Sequence, residues 1–441
     1  MGRDQGNQAK DANADENKIH LKRTMGYLEG VSFIVGTIIG AGIFVSPTGV
    51  LKYSLLNVGV SLIIWTLSGI ISLMGALCYA ELIIALPFSG GEYSYIKRAL
   101  GSPVAFIFLW TAMFNRPASN AARALLFAEY AIQPFYGACP APEMAKKCLA
   151  LAVLLFLGIL NGRSIKMAAW VQIVFTFLKM MALSIIAISG IVLLIRGKTK
   201  NTARFENAFS GEIPDAVQIS EAFFQGLYAY GGWWSLSYLA VSVVVAVMWA
   251  ERVIPSFAWI IPASVAISIF GALNGSVFTL GRLSYAASQT GQLPIIVSML
   301  NIHHSTPAPA MILSTVIATA FLISSDLIAL MNYFGFSIWL MTGLTCASVI
   351  VLRYREPDLL RPYKVCLPVA FGMVAISLFL VLVPIIWSPK VQYLYAFLFM
   401  VGGIFLYLPF IHFQIHFEWL DKMTCYLQLL LQVSPANYKS E

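Results

Sequence analysis

The sequence contains very little charge. Asp, Glu, Lys and Arg make up 11% of the 441 residues, whereas hydrophobic residues make up 59%. Soluble domains carry about a quarter charged residues, so the shortage argues against a soluble protein. Many apolar runs reach the length of about 20 residues that a membrane-spanning helix needs, which predicts an all-α polytopic protein in the lipid bilayer. The net charge of +8 needs no nucleic-acid partner, because such proteins keep Lys and Arg in their cytoplasmic loops.

The patterns of enzymes and metal sites are also missing. The six cysteines form no C-x-x-C pair, and the five histidines do not cluster with them, which argues against a metal site. The sequence has no Walker loop, no nucleophile elbow and no paired acid/base carboxylates. We therefore expect no enzyme, no metal and no cofactor.

Eleven apolar segments are visible along the chain. They lie at 27–51, 57–87, 102–135, 148–167, 170–196, 220–250, 256–288, 308–325, 328–352, 366–387 and 391–413. The polar residues 1–20 are typical of a disordered cytoplasmic tail, residues 21–414 form one predicted transmembrane domain, and residues 415–441 form a cytoplasmic C-terminal segment. No basic stretch followed by an apolar run opens the chain, so no cleavable signal peptide is expected.

The distribution of Lys and Arg predicts which connectors are cytoplasmic. Lys97 and Arg98 follow the second segment and Arg163 follows the fourth, so all three are cytoplasmic if the N terminus is inside. If segment 220–250 crosses the membrane once, the basic cluster at 352–364 lies outside, which contradicts the rule. Either this segment enters the membrane and returns to the outside, or an odd number of spans is missing there.

Glycines interrupt two of the apolar segments. "GTIIGAG" (36–42) contains three glycines, each of which costs a helix interior about 1 kcal/mol relative to Ala, and "YAYGGWWS" (228–235) contains a glycine pair. One explanation is close helix packing through small residues. The other is two broken helices at corresponding positions of two five-span halves, whose free N–H and C=O groups hold the carboxylate and ammonium of a zwitterion.

Three cations lie inside apolar segments. Lys179 lies in mid-membrane, where an ionisable residue is a functional candidate and a snorkelling lysine is the alternative. Arg116 and Arg123 are seven residues apart, about two turns, and so share one face of a helix. They either form structural pairs, for instance with Glu129, or attract an acidic substrate side chain.

Cys139 lies in the connector at 134–147. It could pair with Cys148, but Cys148 begins the fourth segment and is expected to be buried. An unpaired exposed cysteine in an oxidising space favours an intermolecular disulfide. The N-x-[ST] sequon at Asn274 lies inside a segment, where we expect no glycosylation.

Several stretches together resemble one transporter family. They are "GTIIGAGIFVSPTGVL", "ALCYAEL", "SGGEYSYI", "YAYGGW", "GALNGSVFTLGRLSYAASQTGQLP" and "LRYREPDLLRPYKV". From about residue 20 to 430 the chain resembles the light subunits of heteromeric amino-acid transporters, in the LAT branch of the amino acid–polyamine–organocation superfamily. "DKMTCYLQLLLQ" and "AEYAIQPFYGACPAPEMAKKCLAL" are most similar to its aspartate/glutamate subgroup. The resemblance implies a LeuT-type inverted-repeat fold and sodium-independent antiport of acidic amino acids and/or cystine at the plasma membrane, with both termini cytoplasmic.

The resemblance also implies substrate-binding residues in the two broken helices. They are Thr37, Ile38, Ala41 and Gly42 in the unwound first helix, and Tyr228, Ala229 and Gly231 in the unwound sixth helix. The first group would bind the substrate carboxylate, and Tyr228 would be the aromatic gate over the substrate.

Other roles implied by the resemblance concern single side chains. Lys179 would occupy the place of the second sodium site and brace the first helix against the fifth or eighth. The "RP" at Arg116 also occurs in relatives with neutral substrates, which leaves Arg123 as the better candidate for an acidic preference. Cys139 would join a single-span glycoprotein heavy chain.

The chain departs from the family after "GGW". The second half of the sixth helix, a connector and most of the seventh helix are missing near 236–246, where the charge count also fails, so eleven segments replace twelve. Three functions remain open: an exchanger linked to a heavy chain, a shortened transport-incompetent isoform that only binds the heavy chain, and a proton-coupled uniporter of the same fold.

Overall fold

The computed structural model describes most of the predicted membrane domain. It covers residues 32, 35–36, 39–40, 42–86, 91–136, 141–196, 208–209, 212–231, 260–304, 306–324, 327–387, 391–413 and 418–435. These residues are mainly helical, and two short strands pair near the C terminus. The predicted tail at 1–20, the site residues Thr37, Ile38, Ala41 and Cys139, and the predicted deletion at 236–246 lie outside the described residues.

The helices follow the apolar segments closely. In chain order they are α1 (Gly42–Tyr53), α2 (Val58–Ala85), α3 (Glu92–Leu100), α4 (Ser102–Tyr136), α5 (Glu143–Arg163), α6 (Ile165–Ile195), α7 (Ala216–Ala229), α8 (Ile260–Gln289), α9 (Ala308–Ser324), α10 (Leu327–Arg355), α11 (Leu367–Trp387), α12 (Val391–Tyr407) and α13 (Glu418–Leu431). A 3₁₀ turn (Ile295–Ser298), a π-helical turn (Leu408–His412) and the strands β1 (Leu300–Asn301) and β2 (Val433–Ser434) complete the described elements. Two helices, α3 and α13, lie where the sequence predicted only connecting segments.

Length and composition make several of these helices suitable for spanning a membrane. Four described helices qualify fully, at Val58–Ala85, Ile165–Val192, Val265–Gln289 and Ser337–Arg355, and shorter apolar helices lie at Ala308–Ile323, Leu367–Val383 and Ala396–His412. Along α6 the large side chains of Trp170, Phe177 and Ile188 are exposed. An exposed apolar surface of this kind fits lipid rather than water. The fold is that of a polytopic helical membrane protein.

Contacts between connectors define one end of the molecule, here named the inner end. The Tyr93 and Thr290 hydroxyls are 2.7 Å apart, and the Thr306 hydroxyl donates to the Gly162 carbonyl. Strand β1 pairs antiparallel with β2, so the C-terminal segment also lies at this end. The opposite, outer end includes the contact of the Gly59 amide with the Ala208 carbonyl at 2.7 Å.

The basic cluster at 352–364 lies at the inner end, with the other predicted cytoplasmic cations. Arg98 donates two hydrogen bonds to the Glu356 carboxylate, at 2.9 and 2.8 Å, and Arg355 donates to the Ala99 carbonyl at 3.0 Å. Both contacts join this cluster to α3. The chain therefore keeps its basic connectors together, as the positive-inside pattern requires.

A buried carboxylate holds the same region together. Glu81 on α2 is only 2% exposed and accepts hydrogen bonds from the Arg353 Nε at 2.9 Å and the Val365 amide at 2.8 Å. The Arg361 Nε lies 3.6 Å from the same carboxylate. These contacts join α2, the end of α10 and the start of α11.

Helices α7 and α8 run in the same direction. Gly42 lies against Tyr228 and Gly49 against Gln225, so α7 is antiparallel to α1 and runs inward from the outer end. Helix α8 is antiparallel to α6 and reaches the inner end at Thr290. Both α7 and α8 therefore run from the outer end to the inner end. This common direction is what we expect if segment 220–250 returns to the outside before α8 begins.

Candidate functional site

The first segment is interrupted within its glycine-rich stretch. Val35 and Gly36 are helical, Ile39 and Gly40 form a bend, and α1 begins at Gly42. The Ile39 amide closes the preceding turn by donating to the Val35 carbonyl at 2.9 Å. The described residues therefore do not form one continuous helix through Gly40.

In the segment predicted at 220–250, the described helix ends just before the glycine pair. Helix α7 starts with a capping box between Asp215 and Gln218 and ends at Ala229. The Tyr230 amide still donates to the Gly226 carbonyl at 3.2 Å, and the Gly231 amide folds back to the Tyr228 carbonyl at 3.2 Å. Gly231 thus lies in a tight turn after the last helical residue.

The glycine-rich stretch of the first segment touches the end of α7. A Cβ on Gly42 would lie 2.7 Å from the Tyr228 carbonyl oxygen and 2.8 Å from the Ala229 Cα. Only glycine permits this approach without moving one of the two backbones. The N-terminus of α1 therefore lies beside the C-terminus of α7, so that a helix end favouring a carboxylate adjoins one favouring an ammonium group.

Lys179 on α6 lies next to the first interruption and is fully buried. Its Nζ donates hydrogen bonds to the carbonyl oxygens of Gly36 at 2.7 Å, Ile39 at 2.8 Å and Ser268 at 3.2 Å. All three ammonium hydrogens are therefore used, and no carboxylate of the described residues pairs with it. The side chain connects the first segment, α6 and α8, and this burial does not fit a snorkelling lysine.

A chain of polar side chains extends from this contact. Thr176 and Gln172, on the same face of α6 as Lys179, donate to the Ser32 carbonyl at 3.0 and 3.5 Å. The Asn274 amide donates to the Gln172 side chain at 2.8 Å, and the Asn161 amide donates to Asn274 at 2.8 Å. In the sequence, the spacings of four and three between Gln172, Thr176 and Lys179 indicated a polar face on this apolar helix. The prediction considered only Lys179.

Gly36 and Asn274 acquire structural roles here. A Cβ on Gly36 would overlap the side chains of Gln172 and Thr176, so the small-residue packing explanation applies at this glycine. Asn274 is fully buried and hydrogen-bonded, which fits the expectation that its sequon is not glycosylated.

Arg116 and Arg123 line a cavity of about 80 Å³ that has both polar and apolar walls. A buried water needs at least roughly 10–15 Å³, so the cavity can hold several waters or a small polar group. Its other polar walls come from α4, α8 and α10: Thr111, Asn115, Ser119, Ser276, Thr279 and Thr342. The residues at 111/112, 115/116, 119 and 123 share one face of α4, a periodicity visible in the sequence but used only for the arginines.

The two arginines differ in their partners. Arg116 donates to the carboxylate of Glu92 on α3, and Tyr79 donates to the other Glu92 oxygen at 2.7 Å. Burial raises the pKa of Glu92, while the charge of Arg116 opposes that rise. Glu129, considered as an arginine partner, instead pairs with Lys146 at 2.7 Å.

Arg123 is the cavity's second cation. Among the described residues it makes no ion pair or hydrogen bond, and its side chain is partly exposed. The arrangement can attract one negatively charged group into the cavity.

The expectation for Cys148 was wrong. Helix α5 begins at Glu143, several residues before the predicted start of the fourth segment, and Cys148 lies on its exposed face. Burial therefore gives no reason to reject a pairing of Cys148 with Cys139.

Comparisons with known proteins agree with the architecture. The sequence model of the amino acid permease family matches residues 25–244 and 236–407. Solute carrier family 7 member 13 of Mus musculus is 42% identical over 460 residues, covering 95% of this chain and 96% of that protein. The Rattus norvegicus protein of the same name is 44% identical over 468 residues, covering 97% and 98%.

A relative with a different name is similar over the same extent. The b(0,+)-type amino acid transporter 1 of Homo sapiens is 39% identical over 468 residues, covering 96% of this chain and 95% of that protein. The matches cover nearly the whole chain, including the residues that make the polar contacts described above. The chain belongs to the amino acid permease family and, as a multi-pass membrane transporter of its LAT branch, is not an enzyme.

Proposed function

We propose that this protein is the light subunit of a heteromeric transporter, which exchanges amino acids across the plasma membrane without sodium. The observation that carries the proposal is the contact of Gly42 with Tyr228 and Ala229. It brings together two helix ends of opposite dipole, suited to the two charges of an amino-acid backbone. Thr37, Ile38, Ala41 and Gly231 are proposed to complete this backbone-binding site, with Tyr228 as its gate.

The position of Lys179 supports the proposed sodium independence. A sodium ion at this place would need oxygen ligands, and carbonyl oxygens of Gly36, Ile39 and Ser268 already accept hydrogen bonds from the ammonium group. A covalently attached cation therefore does the bracing that a bound ion would do. Uptake into proteoliposomes in sodium buffer and in choline buffer should be equal, and a strong dependence on sodium would contradict the proposal.

The architecture proposed is a LeuT-type inverted repeat with eleven segments. Both termini would be cytoplasmic, and for the C-terminal segment this agrees with the position of β2 at the same end as Arg98 and Arg163. Residues 21–414 would form the transporter domain between the cytoplasmic segments 1–20 and 415–441. Protease sites introduced near each terminus should be cut only after the membrane of sealed cells is permeabilised.

Acidic amino acids and/or cystine are the proposed substrates. Each has two carboxylates, the second being the side-chain group of an acidic amino acid or the other α-carboxylate of cystine, and Arg123 offers a positive charge without a partner among the described residues of the cavity. Arg123→Gln should lower glutamate uptake roughly tenfold relative to leucine uptake, as expected for a lost charge-assisted hydrogen bond. Arg163→Gln, which removes an exposed arginine of α5, is the matched control, and equal selectivity in both variants would remove Arg123 from the proposal.

Cys139 is proposed to form the disulfide with the single-span heavy chain. After coexpression with candidate heavy chains, a non-reducing gel should contain a linked species that Cys139→Ser abolishes. Cys148→Ser is the matched control, because Cys148 is exposed on α5 close to the same connector. Loss of the linked species in Cys148→Ser with retention in Cys139→Ser would reassign the bond.

The second candidate is a shortened isoform that binds the heavy chain but does not transport. Two observations favour it. The permease family matches in two stretches that overlap at 236–244, and the alignments with relatives run over 460 and 468 positions although the chain has 441 residues. The relatives therefore have positions that this chain lacks, as expected for a deletion near 236–246.

One experiment separates the two candidates. The chain is coexpressed with candidate heavy chains, purified and reconstituted in proteoliposomes preloaded with unlabelled amino acids. Exchange of labelled glutamate would support the transporter, whereas a disulfide-linked surface complex without exchange would support the second candidate.

A further inference from the structure

The cavity beside α4 contains three charged side chains among its described lining residues. They are Glu92 from α3 and Arg116 and Arg123 from α4. The remaining described lining residues carry hydroxyl, amide or apolar groups. The balance between these three charges therefore determines the electrostatic potential inside the cavity.

Glu92 and Arg116 compensate each other. The Arg116 guanidinium donates to one oxygen of the Glu92 carboxylate, and Tyr79 donates to the other at 2.7 Å. Glu92 is only 4% exposed, so water screens the pair weakly. A closely spaced pair of opposite charges attracts a third charge far less than a single cation does.

Arg123 lies two helical turns from Arg116, about 10 Å along the axis of α4. It faces the same cavity, but none of the described acidic side chains contacts it. The cavity therefore has one net positive charge, located at its Arg123 side.

We infer that Glu92 determines substrate specificity by neutralising Arg116, so that the cavity matches an amino acid with a single side-chain carboxylate. This inference rests on the proposed transport of acidic amino acids. In this assignment Glu92 acts through Arg116 and does not itself bind the substrate. Without Glu92 the cavity would have two positive charges, would bind acidic substrates more strongly and would reject neutral ones more strongly.

The test is Glu92→Gln in the full chain. The glutamine keeps the size of the side chain and an oxygen that can accept from Tyr79, but removes the negative charge. Labelled glutamate and leucine are compared by uptake into proteoliposomes and by equilibrium binding to the purified chain, so the result does not require a complete transport cycle. The glutamate-to-leucine ratio should rise roughly tenfold, given one additional charge at about 10 Å in a medium of intermediate dielectric constant.

A double variant tests the charge balance directly. Glu92→Gln combined with Arg116→Gln removes both members of the pair and returns the cavity to one positive charge, so its ratio should return close to that of the unmodified chain. A purely structural role for Glu92 would not give this recovery. Glu212→Gln, the same change at an exposed residue outside the cavity, should leave the ratio unchanged.

The outcomes distinguish this inference from the proposed function. If Arg123→Gln lowers the ratio but Glu92→Gln leaves it unchanged, the role of Glu92 is overturned and the acidic preference stands. If Arg123→Gln has no effect, Arg123 is removed from the proposal, and if the unmodified chain does not prefer glutamate to leucine, the acidic preference itself fails. Should Glu92→Gln not fold, Arg116→Gln is compared with the double variant, since the two differ only at residue 92. The double variant must then have the higher ratio, and equal ratios overturn the inference.

Discussion

Lys179 and Arg116 are both cations inside the helical bundle, yet their charges are stabilised in different ways. The Lys179 ammonium group contacts three backbone carbonyl oxygens, whereas Arg116 contacts a carboxylate. Carbonyl groups stabilise the lysine without cancelling its charge, and a carboxylate cancels that of the arginine. Stabilisation of a charge by backbone carbonyl groups requires a bend of the main chain at the right place. Stabilisation by a side chain requires that the helix carrying that side chain packs against the charge.

The largest expected effect concerns the charge held by the backbone. Lys179→Ala should reduce exchange to background, because it removes the cation that joins the first segment to α8 and takes one hydrogen-bond donor away from each of three carbonyl oxygens. The measurement is glutamate exchange in proteoliposomes, normalised to the amount of reconstituted protein. Lys166→Ala, at an exposed lysine of the same helix, should retain exchange. Full activity of Lys179→Ala would mean that the fixed ammonium group has no part in transport.

The second effect extends the comparison to another carboxylate–guanidinium pair. Glu81→Gln should lower the free energy of unfolding by roughly 3–5 kcal/mol, because the partly buried Arg353 loses the charge of an almost completely buried carboxylate. Thermal unfolding of the detergent-solubilised protein measures the change. Glu356→Gln disrupts the more exposed pair with Arg98 and should cost no more than about 1 kcal/mol. Equal losses in the two variants would mean that burial does not determine the strength of these pairs.

A smaller effect is expected from the contact between Gly42 and the end of α7. In Gly42→Ala the new methyl group meets the backbone of Tyr228 and Ala229, an overpacking that costs about 1–3 kcal/mol. Exchange should fall roughly tenfold, while the glutamate-to-leucine ratio should stay constant because the Arg116 cavity is not touched. Gly162→Ala, where no atom lies within 4 Å of the added Cβ, should be neutral. A changed ratio in Gly42→Ala would mean that the two regions are coupled.

Much of the helical framework was predictable from the sequence. The apolar runs gave the spanning helices to within a few residues, since a run of apolar side chains can avoid water only inside lipid or a protein core. The glycine-rich stretches gave the interruption near Gly40 and the end of α7 near Gly231. Helical spacing also placed Arg116 and Arg123 on one face.

The partners of these residues were not predictable from local spacing. Glu92 was part of a quoted motif, but only the packing of α3 against α4 makes it the partner of Arg116. The contact of Asn161 with Asn274 joins residues far apart in the chain. Helical periodicity tells which residues share a face, but it does not tell which helix covers that face. Cys148 was misassigned for a related reason, because the boundary of a helix does not determine which of its faces is exposed.

The amino-acid composition and the positions of glycine determined on their own that this chain is a helical membrane protein with an interruption near Gly40 and a helix end near Gly231. These features depend on the free energy of moving side chains out of water and on local backbone freedom, both of which act within a few neighbouring residues. Only the tertiary structure decided that Lys179 meets carbonyl oxygens and Arg116 meets Glu92. Such pairs form between distant parts of the chain, and their geometry exists only once the helices have packed.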